Sequence, residues 1–227
     1  GYETGTKIRF CWVDAEELIT ENDAEENLAG CDGILVPGGF GDRGMEGKIQ
    51  AAKYARIRNI PYFGICLGMQ TAVIEFSRDV AGLEDANSSE FNPEARDCVI
   101  DLLPDQQGNI PKGGTMRLGS YPCRILPDTI MARAYQSGRI AERHRHRYEF
   151  NNRYRKILQQ AGLVISGTSP DGYIVETVEI PQNDFFLGVQ FHPEFKSRPN
   201  RAHPLFREFV KAALERSDKI RNAEGNE

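Results

Sequence analysis

The sequence has few of the features that mark membrane-bound or disulfide-stabilised proteins. Its 227 residues include five cysteines, an odd number without any Cys-x-x-Cys pair. Neither a disulfide framework nor a zinc cluster is therefore expected, and a reducing, cytoplasmic location fits. No apolar run approaches the ~18 residues of a membrane helix, and the first residues do not form a signal peptide. We expect no membrane association.

The sequence also lacks an excess of positive charge. The chain has 28 Lys and Arg against 33 Asp and Glu, which gives a net charge of −5. That balance excludes a generally basic nucleic-acid binder, so we expect no nucleic-acid partner. A hydrophobic content of 40% is ordinary for a globular protein of this size, which needs no metal or disulfide to complete its core.

Short apolar runs bounded by glycine or proline alternate with helical patterns in the first half of the chain. Such alternation is typical of parallel strands covered by helices on both faces. From residue 98 onward strands dominate. The expected fold is α/β, a mixed, centrally parallel sheet flanked by helices, with a nucleophile elbow. The predicted strands are Ile8–Val13, Gly33–Val36, Pro61–Ile65, Cys98–Leu103, Gly119–Ile125, Leu163–Ser166, Tyr173–Ile180 and Phe185–Gln190, and the predicted helices are Met45–Arg58, Cys66–Val80, Arg153–Ala161 and Leu205–Arg216.

Cys66 is the candidate nucleophile. It is the centre of Gly64-Ile65-Cys66-Leu67-Gly68, where a predicted strand meets a predicted helix. A nucleophile on such a sharp turn needs small residues two positions away on each side, because the backbone doubles back there. The following helix N-terminus is expected to lower the pKa of the thiol. The alternative is a buried structural cysteine, but the agreement of pentapeptide and context favours a nucleophile.

A general base for this thiol is predicted at the end of the last strand. His192 follows a strongly apolar run, and Glu194 comes two residues later. If the extended backbone continues through Pro193, both side chains project the same way, whereas a change of backbone at the proline would separate them. A carboxylate beside a histidine fixes its tautomer and stabilises the imidazolium, although a lone histidine is more often a core residue.

A glycine pair follows the second predicted strand. Gly38 and Gly39 are small enough to let backbone N–H groups approach a substrate oxygen, as in an oxyanion hole. A glycine-rich turn alone is weak evidence, because most such turns only reverse the chain.

Together these segments resemble the class-I, triad-type glutamine amidotransferases. The resemblance rests first on Pro37–Gly41, Gly64–Gln70 and His192–Glu194. Three longer segments narrow it to the glutaminase domain of the CTP synthases, over nearly the whole chain from Ile8 to Ala213. They are Gly-Gly-Thr-Met-Arg-Leu-Gly at 113–119, Glu-Arg-His-Arg-His-Arg-Tyr-Glu at 142–149 and Phe-His-Pro-Glu-Phe-Lys-Ser-Arg-Pro at 191–199.

The resemblance implies an enzyme that hydrolyses L-glutamine to glutamate and ammonia through a γ-glutamyl thioester. It implies a triad of Cys66, His192 and Glu194, with an oxyanion hole made by the backbone N–H groups of Gly39 and Leu67. In this pattern Glu90 receives the substrate's α-ammonium group and Arg147 its α-carboxylate. The full glutamine-binding set that it implies is Gly39, Leu67, Gly68, Met69, Gln70, Glu90, Arg147 and Tyr148.

Further partners follow from the same resemblance. No cofactor and no metal are expected in this domain. A synthetase (amidoligase) domain absent from the chain would use ATP and Mg²⁺ to aminate UTP to CTP with the ammonia. Family members are activated by GTP, and Phe40 and Arg43 are candidates for a GTP site at the junction of the domains. The parent enzyme is expected to be a cytoplasmic homotetramer.

We expect one domain over residues 1–215, without the strand and helix that precede the position of Gly1 in the family, and a disordered polar tail over residues 216–227.

The alternatives to this function are another triad amidotransferase, a γ-glutamyl hydrolase, or a non-catalytic regulatory or assembly module with a vestigial triad. The basic run Arg143–Tyr148 also has the minority interpretations of an RNA or phosphate patch and of a solvated face.

Overall fold

The computed structural model describes residues 1, 3–102 and 116–224 of the chain. The strands in these ranges are β1 (Ile34–Val36), β2 (Tyr62–Ile65), β3 (Ala86–Ser88), β4 (Asp97–Leu102), β5 (Arg117–Ile125), β6 (Arg139–His146), β7 (Tyr148–Phe150), β8 (Val164–Thr168), β9 (Val175–Glu179) and β10 (Phe186–Val189). The helices are α1 (Glu21–Leu28), α2 (Met45–Ile57), α3 (Leu67–Asp79), α4 (Ile130–Tyr135), α5 (Arg155–Gln160) and α6 (Pro204–Glu224).

The strands form two sheets. The larger has the order β1-β2-β10-β9-β8-β5-β6, and the smaller the order β3-β4-β7. In the larger sheet β2 pairs in parallel with both β1 and β10, while β10, β9, β8, β5 and β6 pair with one another antiparallel. The predicted α/β fold with a mixed sheet is confirmed, and its parallel strands are the ones that lead to the predicted elbow.

Each face of the parallel strands buries a separate apolar cluster. Successive side chains of a strand point to opposite faces, so Tyr62 packs on the side of α2 and α3 while Phe63 packs on the side of α6. The Tyr62 ring stacks on Phe186 of β10 at 4.4 Å between centroids. On the other face Phe63 contacts Phe206 edge-on, with the centroids 5.5 Å apart. This two-sided burial fixes the ends of β2 and β10 rigidly.

No strand forms at Ile8–Val13, so that prediction is wrong. A strand requires a hydrogen-bonded neighbour, and among the described residues no strand pairs with this segment. Its apolar side chains stay exposed: Phe10 is 74% and Trp12 89% accessible. The apolar pattern alone could not reveal that no strand of the described residues lies beside this segment.

The last helix is longer than predicted. α6 continues past Arg216 to Glu224, and the prediction of a disordered tail is wrong for residues 216–224. Two contacts hold these turns: Lys219 Nζ lies 3.0 Å from Asp184 Oδ2 in the loop before β10, and Arg216 donates to the carbonyl of Asn59 in the loop between α2 and β2. Residues 225–227 lie outside the described ranges. Within those ranges no helix combines the length and apolarity needed to cross a bilayer.

Candidate active site

Cys66 occupies the turn between β2 and α3 in a strained conformation. Its φ of +52° with ψ of −102° lies in a region that non-glycine residues rarely adopt, and such residues are concentrated at functional sites. The Cys66 N–H donates to the carbonyl of Val189 at 2.7 Å, which ties the turn to the end of β10. The thiol is therefore presented at the carboxyl end of two adjacent parallel strands.

The two glycines that flank this turn are required by packing. A Cβ on Gly64 would lie 2.5 Å from the carbonyl oxygen of Gly68, and a Cβ on Gly68 would lie 2.1 Å from the carbonyl oxygen of Val36. Both distances are far below van der Waals contact. The small residues expected from the pentapeptide thus have the steric role that the sequence predicted.

His192 and Glu194 come together beside the turn. His192 Nδ1 lies 2.6 Å from Glu194 Oε1. The extended backbone that was the condition for this contact does not continue, because Pro193–Lys196 forms a 3-10 turn. The carboxylate reaches the imidazole from within that turn instead. His192 Nε2 is buried without a hydrogen-bond partner among the described residues, so it is the nitrogen available to a reacting group.

The Gly38–Gly39 pair after β1 lies against the side chains of His192 and Cys66. A Cβ on Gly38 would sit 2.7 Å from His192 Cε1 and 3.4 Å from Cys66 Cβ, and a Cβ on Gly39 would sit 3.2 Å from Leu67 Cδ2. The structure therefore brings the glycine turn, the Cys66 turn and the imidazole to one point, where Gly39 faces the residue after the candidate nucleophile.

The electrostatics of the thiol differ from the expectation. Burial raises the pKa of Cys66 to about 12, and the carboxylates of Glu149, Glu194 and Glu90 add to that rise. The hydrogen bond from the backbone N–H of Leu67 acts in the opposite direction. The helix N-terminus therefore acts in the predicted direction, but desolvation of the thiolate outweighs it and the net shift of the pKa is upward.

Glu90, Arg147 and Tyr148 form a half-buried group near the thiol. Desolvation raises the pKa of Glu90, while the charge of Arg147 opposes that rise. Burial raises the pKa of Tyr148, which also responds to Glu90 and Arg147. The Glu90 carboxylate and the Arg147 guanidinium therefore interact electrostatically with each other, and Glu90 also interacts with the Cys66 thiol.

The predicted ligand residues on the first turn of α3 are buried. The Gln70 amide donates to the carbonyl of Tyr148 at 3.1 Å. The Met69 side chain packs on β10, where a Cβ on Gly188 would lie 3.0 Å from Met69 Cγ. Gly68 accepts a hydrogen bond at its carbonyl from Tyr62. The Met69 side chain thus belongs to the core, so a ligand could meet only the backbone of Gly68 and Met69.

Phe40 and Arg43, the candidate junction residues, are exposed and have different partners. The guanidinium of Arg145 lies 5.5 Å from the centroid of the Phe40 ring. Arg43 pairs with Glu16 at 2.7 Å. The structure does not join the two side chains in one cluster.

A buried polar cluster that was not predicted from the sequence lies beside the site. Arg117 donates to Glu176 at 2.8 Å and to Glu149 at 3.2 Å. His144 and His146 share a 2.8 Å hydrogen bond between ring nitrogens. Burial lowers the pKa of His144 to about 2 and that of His146 to about 3, so both rings are neutral at physiological pH.

The sequence signal for this cluster was the alternation of Arg and His along β6. In the structure His144 and His146 are buried, while Arg143 and Arg145 are exposed. Arg117 belongs to the segment 113–119, of which residues 113–115 lie outside the described ranges. Across residues 1, 3–102 and 116–224, no group of three or more His, Cys, Asp or Glu side chains has the arrangement of a metal site.

Comparison with known proteins gives a consistent family. Residues 1–212 match the family described as glutamine amidotransferase class-I. The CTP synthase of Carboxydothermus hydrogenoformans is 60% identical over 209 residues, covering 92% of this chain and 39% of that protein. The CTP synthase of Clostridium kluyveri is 58% identical over 220 residues, covering 97% of this chain and 41% of that protein.

A solved structure agrees with these relatives. The Trypanosoma brucei CTPS glutaminase domain, solved with bound acivicin, superposes with a TM-score of 0.89 at 45% identity and covers 94% of this chain and 83% of that one.

The chain therefore belongs to the class-I glutamine amidotransferase family. Within it, both sequence and fold match the glutaminase domain of CTP synthases, which confirms the resemblance predicted from the motifs. The chain spans about two fifths of the length of the curated relatives it matches.

Proposed function

We propose that this chain hydrolyses the side-chain amide of L-glutamine with Cys66 as nucleophile, His192 as acid and base, and Glu194 as the residue that orients His192. The observation that carries the proposal is the convergence of three features. The strained Cys66 turn, the His192–Glu194 pair and the Gly38–Gly39 turn meet at one point. That arrangement supplies a nucleophile, a base with a fixed tautomer and backbone donors for an oxyanion.

In the first half of the reaction the Cys66 proton passes to His192 Nε2 and the sulfur attacks the amide carbon. The C–S bond forms as the carbonyl electron pair moves to oxygen, and we assign stabilisation of that charge to the N–H groups of Gly39 and Leu67. The C–N bond then breaks, His192 returns the proton to the leaving nitrogen, and ammonia departs from a γ-glutamyl thioester. Because Glu194 binds Nδ1, Nε2 is the nitrogen free for both transfers.

In the second half water attacks the thioester. His192 Nε2 takes a proton from the water as its oxygen bonds to carbon. The C–S bond breaks, glutamate leaves, and the proton returns to the sulfur. The sum of the two halves is glutamine plus water giving glutamate plus ammonia, with the thiol and imidazole restored.

Substrate recognition is assigned to the half-buried group beside the thiol. Free glutamine carries an α-ammonium and an α-carboxylate, so a selective site needs one anion and one cation at matching spacing. Glu90 and Arg147 supply this pair, and a planar guanidinium suits bidentate binding of a carboxylate. Tyr148, the Gln70 side chain and the backbone of Gly68 and Met69 complete the proposed glutamine-binding set.

Replacing Arg147 by alanine should raise the KM for glutamine by about 10- to 100-fold with little change in kcat, because a charge-assisted hydrogen bond far from the breaking bond is lost. Steady-state ammonia release over a range of glutamine concentrations measures both constants. Arg139→Ala, which removes the same charge from the exposed start of β6, should leave KM unchanged. An unaltered KM in the Arg147 variant would show that another residue holds the carboxylate.

The role of this activity in the longer relatives is the second part of the proposal. Ammonia made here would be used by a synthetase domain to aminate UTP to CTP with ATP and Mg²⁺, and the assembled enzyme would be a GTP-activated homotetramer. ATP, Mg²⁺ and UTP are assigned to the part of those relatives that this chain does not span. Exposed Phe40 and Arg43, next to the glycine turn, are proposed to face the junction where GTP acts.

The proposal is tested by intact mass and peptide mapping after exposure to a diazo-ketone analogue of glutamine. Stoichiometric labelling at Cys66 that excess glutamine prevents is the expected result. The label must map to Cys66 and not to exposed Cys11, which serves as an internal control for simple reactivity. A folded chain that takes no label would overturn the proposal for the chain alone and favour a non-catalytic module.

A further inference from the structure

Two buried side-chain amides connect a backbone carbonyl to the sulfur of Cys66. Gln70 Nε2 donates to the carbonyl of Tyr148 at 3.1 Å and to Gln190 Oε1 at 3.3 Å. Gln190 Nε2 in turn lies 3.6 Å from Cys66 Sγ, a normal N–H to sulfur separation. Gln190 is fully buried and Gln70 is 3% exposed. The chain of contacts therefore runs through a part of the molecule shielded from water.

The direction of these hydrogen bonds is fixed from one end. The carbonyl of Tyr148 can only accept, so the Gln70 atom facing it must be the NH₂ group. The same NH₂ group faces Gln190, so the facing atom of Gln190 must be its oxygen. That orientation leaves the Gln190 NH₂ group pointing at the sulfur. Since a thiolate can only accept, the arrangement suits the ionised form of Cys66.

Gln190 is also held by its backbone. Its N–H donates to the carbonyl of Glu176 at 2.8 Å, between the end of β10 and the neighbouring strand β9. His192 follows two residues later along the same segment. The Gln190 side chain therefore approaches the thiol from a rigid part of the sheet. Its backbone is held by Glu176 and its amide oxygen by Gln70.

We propose that Gln190 is a catalytic residue that donates an N–H hydrogen bond to the Cys66 thiolate, with Gln70 as the positioning residue that sets the direction of the Gln190 amide. The assignment rests on the proposed function, in which Cys66 is the nucleophile.

The surroundings of the thiol explain why a neutral donor is needed there. Burial and the carboxylates of Glu149, Glu194 and Glu90 all disfavour the thiolate. A cation at this position would stabilise the thiolate but would also pair with those carboxylates. An amide N–H stabilises the anion without adding a charge to a crowded, buried site.

The test measures the rate constant for alkylation of Cys66 by iodoacetamide as a function of pH in the whole chain, with the site of reaction established by peptide mapping. Because the pKa of the thiol is raised to about 12, the reaction midpoint is defined as the pH at which this rate constant reaches a fixed value on its rising limb, which moves by the same amount as the pKa. Gln190→Met keeps the length of the side chain but has no donor, and its reaction midpoint should move up by about one pH unit. Gln190→Glu keeps the shape and adds a carboxylate, so its midpoint should move up further. Ser77→Ala, which removes an equally buried hydrogen bond of α3 to Val73, should leave the midpoint unchanged.

A midpoint that stays at the wild-type value in both folded Gln190 variants would overturn the proposal. Gln70→Met gives a second test that leaves Gln190 in place: losing the anchored amide should let the Gln190 side chain reverse, with a smaller upward shift. An unmoved midpoint there would remove Gln70 from the assignment.

The alkylation needs no glutamine, so the two proposals fail separately. A shifted midpoint in a chain that never hydrolyses glutamine would count against the glutaminase alone. An active chain whose midpoint ignores Gln190 would count against the donor alone.

Discussion

Replacing Cys66 by alanine should lower the rate of glutamine hydrolysis by at least ~10⁴-fold and leave the fold unchanged, since removal of a nucleophile abolishes the covalent route. The backbone should not rearrange, because the positive φ of this residue is set by the turn between β2 and α3 and by the 2.7 Å hydrogen bond to Val189. Ammonia release under saturating glutamine measures the activity, and a urea unfolding curve measures the fold.

Cys123→Ala is the matched control for that experiment. Cys123 is as buried as Cys66 but lies on β5, and the proposed mechanism gives it no role. Its variant should retain activity within about twofold, since one methyl-sized change in the core alters stability and not the chemistry. Hydrolysis that survives in Cys66→Ala would refute the nucleophile, and equal losses in both variants would trace the effect to folding.

Replacing Gly68 by alanine should reduce the free energy of unfolding by about 3 kcal/mol or more, at the upper end of the range for overpacking. The added Cβ would lie 2.1 Å from the carbonyl oxygen of Val36. Neither the backbone of β1 nor the first turn of α3 can yield without disturbing the sheet. Alanine is the better helix former by ~1 kcal/mol. The measured loss of stability would therefore be the cost of the clash minus this gain in helix propensity. Urea unfolding of the variant and the wild type gives the difference.

Gly138→Ala controls for the loss of glycine itself. No heavy atom lies within 4 Å of the position where a Cβ would be built on Gly138. That substitution should change the free energy of unfolding by less than ~1 kcal/mol. If both glycine variants lose the same stability, the close approach of β1 to the Cys66 turn is not what requires Gly68.

The elbow was predictable because its requirements are local. A strand, a nucleophile, two glycines and a helix follow one another within a few residues, and the same residues meet in the structure. The expected His192–Glu194 contact also forms, although through a 3-10 turn and not through an extended backbone.

Strand β6 was not predicted from the local sequence pattern. Its arginines suggested a basic run, while the structure alternates exposed Arg143 and Arg145 with buried His144 and His146. A period of two was present in the sequence, but its buried residues were polar, so an apolar pattern did not reveal it. The burial of His144 and His146 is explained by the polar partners Arg117 and Glu176, which come from other strands.

Gln190 is a similar case. It lies two residues before His192, at the end of a predicted strand, where side chains two positions apart share a face. What the sequence lacked was any sign that Gln70, 120 positions earlier, would meet its amide.

The sequence by itself determined the α/β class, the Cys66 turn and the family, because each depends on neighbouring residues or on motifs that can be matched directly. Only the tertiary structure decided the state of the thiol and the partners of its neighbours. Whether the pKa of Cys66 rises or falls depends on how much water is excluded and on which carboxylates approach from distant strands. Those quantities arise from packing between segments far apart in the chain, and no local pattern encodes them.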